Sequence, residues 1–197
     1  DMSENKELLE VKDLGITFFT DRGALPAVQE VSFSIKPGET LGVVGESGCG
    51  KSVTSLSIMQ LVQAPQGQII EGQIRFNLDE LGCDETGNKL SYDITKIPTR
   101  DMYNIRGKDI TMIFQEPMTS LNPVFTIGYQ LDEVCFVHYP DITKEDAKKH
   151  SIEMLKKVGI SMPEHVYSSY PHELSGGMRQ RVMIAMALAG EPRLIIA

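Results

Sequence analysis

Residues 45–52 read Gly-Glu-Ser-Gly-Cys-Gly-Lys-Ser and fit the spacing G-x-x-x-x-G-K-[ST] of a phosphate-binding loop. Gly45 and Gly50 allow a tight turn that aims successive backbone N–H groups at phosphate oxygens, where a Cβ would clash. Lys51 supplies a cation to the β- and γ-phosphates, and Ser52 offers a hydroxyl to Mg²⁺. Glu46, Ser47, Gly48 and Cys49 complete the loop and, with Val53 on the helix that follows, belong to the expected nucleotide site. That helix adds its positive N-terminal end. The plain alternative is a Gly-rich turn before a helix. At average residue usage a chance match in a chain this long is on the order of one in a hundred.

Two further segments can do related chemistry. Ser175-Gly176-Gly177 precedes an apolar-periodic run, so a serine N-cap and two glycines leave backbone N–H groups open to an anion. Alone, that is an ordinary N-cap. Gln115 follows the apolar run Ile110–Phe114, and an amide oxygen there can coordinate Mg²⁺ or hold an attacking water, with Pro117 giving the segment a hinge, but one Gln after a strand carries no signal by itself.

The elements that must carry these groups are legible in outline. Leu8–Phe19 and Val28–Ile35 are rich in β-formers, and Pro37-Gly38 turns the chain into Leu41-Gly42-Val43-Val44, the strand expected to feed the phosphate loop. Lys51–Val62 reads as a helix, residues 72–76 begin a strand, and residues 77–100 form a polar excursion with no chemistry in it. Ile110–Phe114 is a buried-strand candidate. Thr143 and Asp146 form a capping box for a helix to Val158, with Ala147, Ser151, Met154, Leu155 and Val158 on one face and Gly159 as its stop. A second helix runs from Gly176 to Ala189, and Arg193–Ala197 looks like the start of a buried parallel strand.

Composition narrows the class. The chain has 197 residues, 41% hydrophobic and 23% charged, which suits one domain with a sizeable core. A net charge of −8 argues against a general nucleic-acid binder. Cys49, Cys83 and Cys135 lack pairing or metal-ligand spacing, which favours a reducing compartment. The N-terminal residues show no signal pattern, and the longest clean apolar stretch, Val182–Ala189, is too short to span a bilayer. Any work at a membrane is expected to go through a partner.

Taken together, the segments mark a resemblance. Tyr170-Pro171-His172-Glu173-Leu174-Ser175-Gly176-Gly177-Met178 is similar to the signature motif of ATP-binding cassette (ABC) proteins, with Met178 where Gln is usual. Phe114-Gln115-Glu116-Pro117 resembles their glutamine loop, and it lies between the other two motifs. The wording of residues 114–123 and 179–188 is closest to the ATPase subunits of bacterial dipeptide and oligopeptide importers, and nickel importers share much of it.

The resemblance covers residues 8–197 as one ATP-binding domain, with a helical subdomain at about 116–175. It implies an α/β fold: a phosphate-loop core, an antiparallel β-subdomain and a helical subdomain holding the signature. ATP and Mg²⁺ are the implied cofactors. Lys51 and Gln115 are the catalytic candidates, Ser52 and Gln115 the metal ligands, and Ser175, Gly176 and Gly177 face the γ-phosphate of a second cassette. An aromatic of the first strand pair should stack on adenine. Phe19 is chosen over Phe18, which extends no clear core face.

The implied partners are two integral-membrane permease subunits, a second ATPase subunit and, indirectly, a peptide-binding protein. No nucleic acid is implied. The implied location is cytoplasmic, peripheral on the inner face of the membrane. Residues 115–129 hold Met118, Leu121, Val124, Phe125 and Ile127, which either dock a cytoplasmic helix of the permease or fill the helical subdomain's own core.

The family places an Asp and a water-polarising Glu after a run like Leu194–Ala197, and neither is among these residues. A polypeptide of this length is therefore expected to bind nucleotide without hydrolysing it, and to carry an open sheet edge. The four histidines, His138, His150, His165 and His172, are read as solvated. A nickel or other small-solute importer is the nearest alternative. A soluble ABC protein of repair or translation would show tandem cassettes or a coiled-coil insertion, and a phosphate-loop kinase or GTPase would leave residues 174–180 unexplained.

Overall fold

A computed structural model describes residues 7–48, 50–62, 66–77, 85, 91–113 and 121–197. They fall into two compact units, Asp1–Met102 and Tyr103–Ala197.

The first unit is built on β1 (Leu9–Thr20), which pairs antiparallel with both β2 (Gly23–Ile35) and β3 (Gly67–Phe76). The two-residue β4 (Tyr92–Asp93) completes the sheet order β2-β1-β3-β4. Leu9 and Val11 are buried, and then Leu14 and Ile16, so the inward face changes from odd to even positions. The switch occurs at a register shift where Asp13 takes φ +48° and its amide donates to Ser32 Oγ at 2.8 Å. One extra residue in a strand reverses every later side chain, which is what a bulge does. With Ile74 and Phe76 these residues make the unit's core, each worth roughly 1.5–3 kcal/mol in transfer free energy.

Three expectations change here. Phe18 does extend a core face: it keeps the parity of Leu14 and Ile16, is half-buried, and lies against Gly67, where a Cβ would stand 2.8 Å from its Cε1. The strand at residues 72–76 starts earlier, at Gly67, because β1 offers it pairing back to Phe18. Residues 41–44 are not a strand. Val43 is 58% and Val44 93% exposed, and the run joins neither sheet. An apolar run becomes a strand only where a neighbour supplies ladder hydrogen bonds.

Helix α1 (Lys51–Ile58) follows the phosphate loop and is shorter than the expected Lys51–Val62. Half of residues 77–100 lie outside the described residues. Beyond β4 they contribute only the start of α2 (Thr99–Met102).

In the second unit β5 (Ile110–Met112) pairs in parallel with β6 (Leu194–Ile196), Ile110 opposite Leu194. The parallel pairing matches expectation, while the burial is partial: Leu194 is buried and Ile195 is exposed. Four helices accompany it: α3 (Ile127–His138), α4 (Lys144–Lys157), α5 (Pro163–Tyr167) and α6 (Gly176–Ala189). Their core joins Ile127, Leu131, Leu155, Val166, Val182 and Ala185.

Helix α4 starts as its sequence predicts. Thr143 Oγ1 accepts the Asp146 N–H at 3.1 Å and donates to Asp146 Oδ2 at 2.8 Å. Ala147, Ser151, Met154 and Leu155 are buried on one face, and Gly159 ends the helix at φ +82°. Two histidines depart from the solvated reading. His165 and His172 are exposed, but His138 and His150 are half-buried, and His150 Nε2 bonds the Ala189 carbonyl at 3.1 Å. The last carbonyls of α6 have no helical partner, and an imidazole from α4 satisfies one of them.

Candidate functional site

The phosphate loop leads into α1 through Gly50, which is the helix N-cap at φ 91°. A Cβ there would meet the Ala27 carbonyl oxygen at 2.7 Å as well as strain the left-handed backbone, so position 50 admits only glycine. Gly48 is also left-handed, at φ +83°. No side chain caps α1, and its first turn holds no acidic residue. A helix start of this kind has amide donors and a positive dipole end available to an anion.

The Lys51 side chain folds back over the loop, and its Nζ donates to the carbonyls of Gly45 and Glu46. The ammonium therefore sits over the loop, held by backbone acceptors that a phosphate oxygen can replace. Thr54 Oγ1 and N–H both donate to the Gly50 carbonyl, at 2.8 and 2.9 Å, fixing the first turn. Ser52 is exposed beside Lys51, and Val53 is half-buried. Glu46, Ser47 and Gly48 are exposed, and Cys49 lies outside the described residues. Phe19 is 44% exposed near the end of β1. This donor set fits a Mg²⁺-polyphosphate: a lysine, a hydroxyl and a bare helix start.

The second unit holds the other expected groups. Ser175 caps α6 by accepting the Met178 N–H on its Oγ at 3.2 Å, as its sequence predicts. Gly176 and Gly177 are exposed, and nothing of the chain lies within 4 Å of a Cβ built on either. No acidic residue occupies the first turn of α6. The approach to this cap is stiff: a 3₁₀ turn, Pro171–Glu173, is closed by the Tyr170 N–H donating to Glu173 Oε2 at 2.7 Å. Gln115 and Met118 lie outside the described residues.

Residues 121–129 divide between buried and exposed positions. Leu121 and Ile127 enter the core, while Val124 is 72% exposed and Phe125 stacks on exposed Tyr129 with centroids 4.5 Å apart. Phe125 opens on a cavity of about 750 Å³ within this unit, lined also by Tyr103, Val134, Val137, Met183 and Met186. The sequence reading missed this cavity, because Tyr103 and α6 are far from Phe125 along the chain. Among the described residues no group of three or more His, Cys, Asp or Glu could hold a metal ion. None of the described helices is long and apolar enough to cross a membrane.

The family model described as ABC transporter matches residues 28–197. The chain is 50% identical over 190 residues to the oligopeptide transport ATP-binding protein OppD of Bacillus subtilis (strain 168), covering 96% of this chain and 49% of that protein. It is 48% identical over 190 residues to the oligopeptide transport ATP-binding protein AppD of the same strain, covering 96% and 54%. The chain thus spans about half the length of these curated relatives. Among solved structures, a post-hydrolysis dimer of the ATP-binding cassette MJ0796 bound to ADP and Pi aligns with a TM-score of 0.76 at 26% identity, covering 95% of this chain and 72% of that one. The fold is that of an ABC cassette, with an antiparallel β-sheet and a helical part that carries the signature, and by the match over residues 28–197 the chain belongs to the ABC transporter family.

Proposed function

We propose that the protein binds ATP–Mg²⁺ and, as the ATPase subunit of an ABC importer, energises uptake of di- and oligopeptides across the bacterial membrane. The observation that carries this reading is the uncapped, Gly50-initiated start of α1 with the Lys51 ammonium folded over the loop. The printed roles of the relatives, oligopeptide and dipeptide transport, support the substrate class. Residues 8–197 form the ATP-binding domain, and residues 116–175 its helical subdomain.

Gly45–Val53 hold the phosphates, with backbone donors around them and Lys51 on the β- and γ-oxygens. Ser52 and Gln115 hold Mg²⁺, which when bound offsets phosphate charge and orients the γ-phosphoryl group. Phe19 stacks on adenine. Ser175, Gly176 and Gly177 present the α6 start to the γ-phosphate of a second cassette, and that the MJ0796 cassette is a dimer supports the pairing of two cassettes. Closure of two cassettes drives two permease subunits fed by a peptide-binding protein, and the subunit lies on the cytoplasmic face of the membrane.

The test is calorimetry on Lys51→Ala. Charge-assisted hydrogen bonds contribute roughly 1.5–3 kcal/mol each, so the variant should bind ATP–Mg²⁺ about one to two decades more weakly. Equal affinity in the two proteins would remove Lys51 from the site.

A further inference from the structure

Tyr167, the last residue of α5, lies against α3 at Gly128, where a Cβ would come within 2.5 Å of its Cζ. One turn further along α3, Asp132 Oδ2 accepts the Tyr167 hydroxyl at 2.5 Å. The other oxygen of the same carboxylate accepts Ser151 Oγ of α4 at 2.6 Å. A single side chain of α3 therefore gathers α4 and α5. The apolar contacts of Leu131, Leu155 and Val166 already hold these helices together, and a half-buried carboxylate adds desolvation cost to that arrangement. What the carboxylate adds is a fixed geometry.

The two bonds lead to different places. From Tyr167 the chain runs directly to the signature, and each step is tied. The Ser169 carbonyl accepts the N–H of Ile127, the first residue of α3, at 2.8 Å. The Tyr170 N–H donates to Glu173, and the Leu174 carbonyl accepts Arg179 Nε at 3.1 Å. Ser175 then caps α6. The segment 167–175 thus hangs from α3 at Asp132 and Ile127 and is closed on itself beyond. The Ser151 bond ends in the middle of α4, whose own hydrogen bonds to α6 fall at Ala189, through His150, and at Arg181, through Val158 and Gly159, rather than at the Ser175 cap.

We propose that Asp132, acting through the Tyr167 hydroxyl, is a positioning residue that sets where Ser175-Gly176-Gly177 present the start of α6. The catalytic consequence rests on the nucleotide reading of that segment given above. Burial and the Asp132 carboxylate both push the Tyr167 hydroxyl up, so it stays protonated and donating throughout the physiological range.

The experiment compares Tyr167→Phe with Ser151→Ala in the full chain. Each removes one hydroxyl from the same carboxylate and leaves the other bond. Three quantities are measured: the unfolding midpoint and the exchange rate of the Met178 amide held by Ser175 Oγ in the chain alone, and ATP turnover in the assembled transporter. Both variants should lose a similar amount of thermal stability. Tyr167→Phe should speed Met178 exchange by roughly tenfold and lower kcat with KM unchanged, while Ser151→Ala moves neither by more than about twofold. Equal effects in the two variants, or an unmoved Met178 amide in Tyr167→Phe, overturn the positioning role. If the assembled parent transporter shows no turnover, the nucleotide reading fails, and the exchange contrast still decides the role of Asp132.

Discussion

At the scale of single residues, the choice between Phe18 and Phe19 rests on one bulge. Simple alternation from Leu9 and Val11 would carry the core face to odd positions and bury Phe19. The extra residue at Lys12–Asp13 moves the face to Leu14, Ile16 and Phe18, leaving Phe19 outward. An exposed aromatic beside a nucleotide can stack on a base, and base–aromatic stacking is worth about 1–3 kcal/mol by alanine substitution. Phe19→Ala should therefore weaken ATP by roughly ten- to a hundredfold in calorimetry, with the unfolding midpoint nearly unchanged. Phe18→Ala should do the reverse, because its ring fills the space beside Gly67. Loss of affinity in Phe18→Ala alone would move the adenine to the other face of β1.

At the scale of elements, local chemistry was legible wherever the signal was local. Thr143 and Ser175 are side-chain caps three residues from the amides they accept, and Gly159 stops a helix by its own φ, so α4 and α6 could be bounded from the sequence. The run 41–44 has the composition of a strand, but ladder partners are not written in it, and the reading failed there. The C-terminal end of α4 shows a second non-local signal. Arg181 of α6 donates through Nη1 to the carbonyls of Val158 and Gly159, both at 3.0 Å, and nothing near residue 158 announces that partner. Thr143 and Arg181 thus serve opposite ends of a helix of 14 residues, about 20 Å apart. Thr143→Ala should cost about 1 kcal/mol. Arg181→Ala should cost about the same, since its bonds are charge-assisted but solvent-exposed. Sites this far apart act independently, so the double variant should lose about 2 kcal/mol in denaturant unfolding. A loss in the double variant equal to either single loss would show that the two ends are not independent caps.

At the scale of the whole molecule, membership of the ABC transporter family was legible because a specific phosphate-loop motif is followed, in the right order, by two motifs that are weak alone. The groove we assign to the proposed membrane partner was not legible in the same way, since its parts are distant in sequence. In the second unit Phe125, Val137 and Tyr103 border one cavity with Met183 and Met186 of α6, while Leu121 and Ile127 from the same stretch of chain turn inward. Exposed aromatic and aliphatic side chains around a groove of about 750 Å³ suit an apolar helix face, and methionines adapt to its shape. We propose that the cytoplasmic helix of the permease docks there. A photo-crosslinking side chain at Val124 or Val137, which are 72% and 75% exposed, should capture a permease subunit in the assembled transporter. The same group at Ile127, fully buried in the helical core, should capture none. Phe125→Ala should lower peptide-stimulated turnover while leaving ATP affinity at the phosphate loop intact, because the substitution touches the dock and no nucleotide ligand. No adduct from either 124 or 137 would remove the dock from this groove.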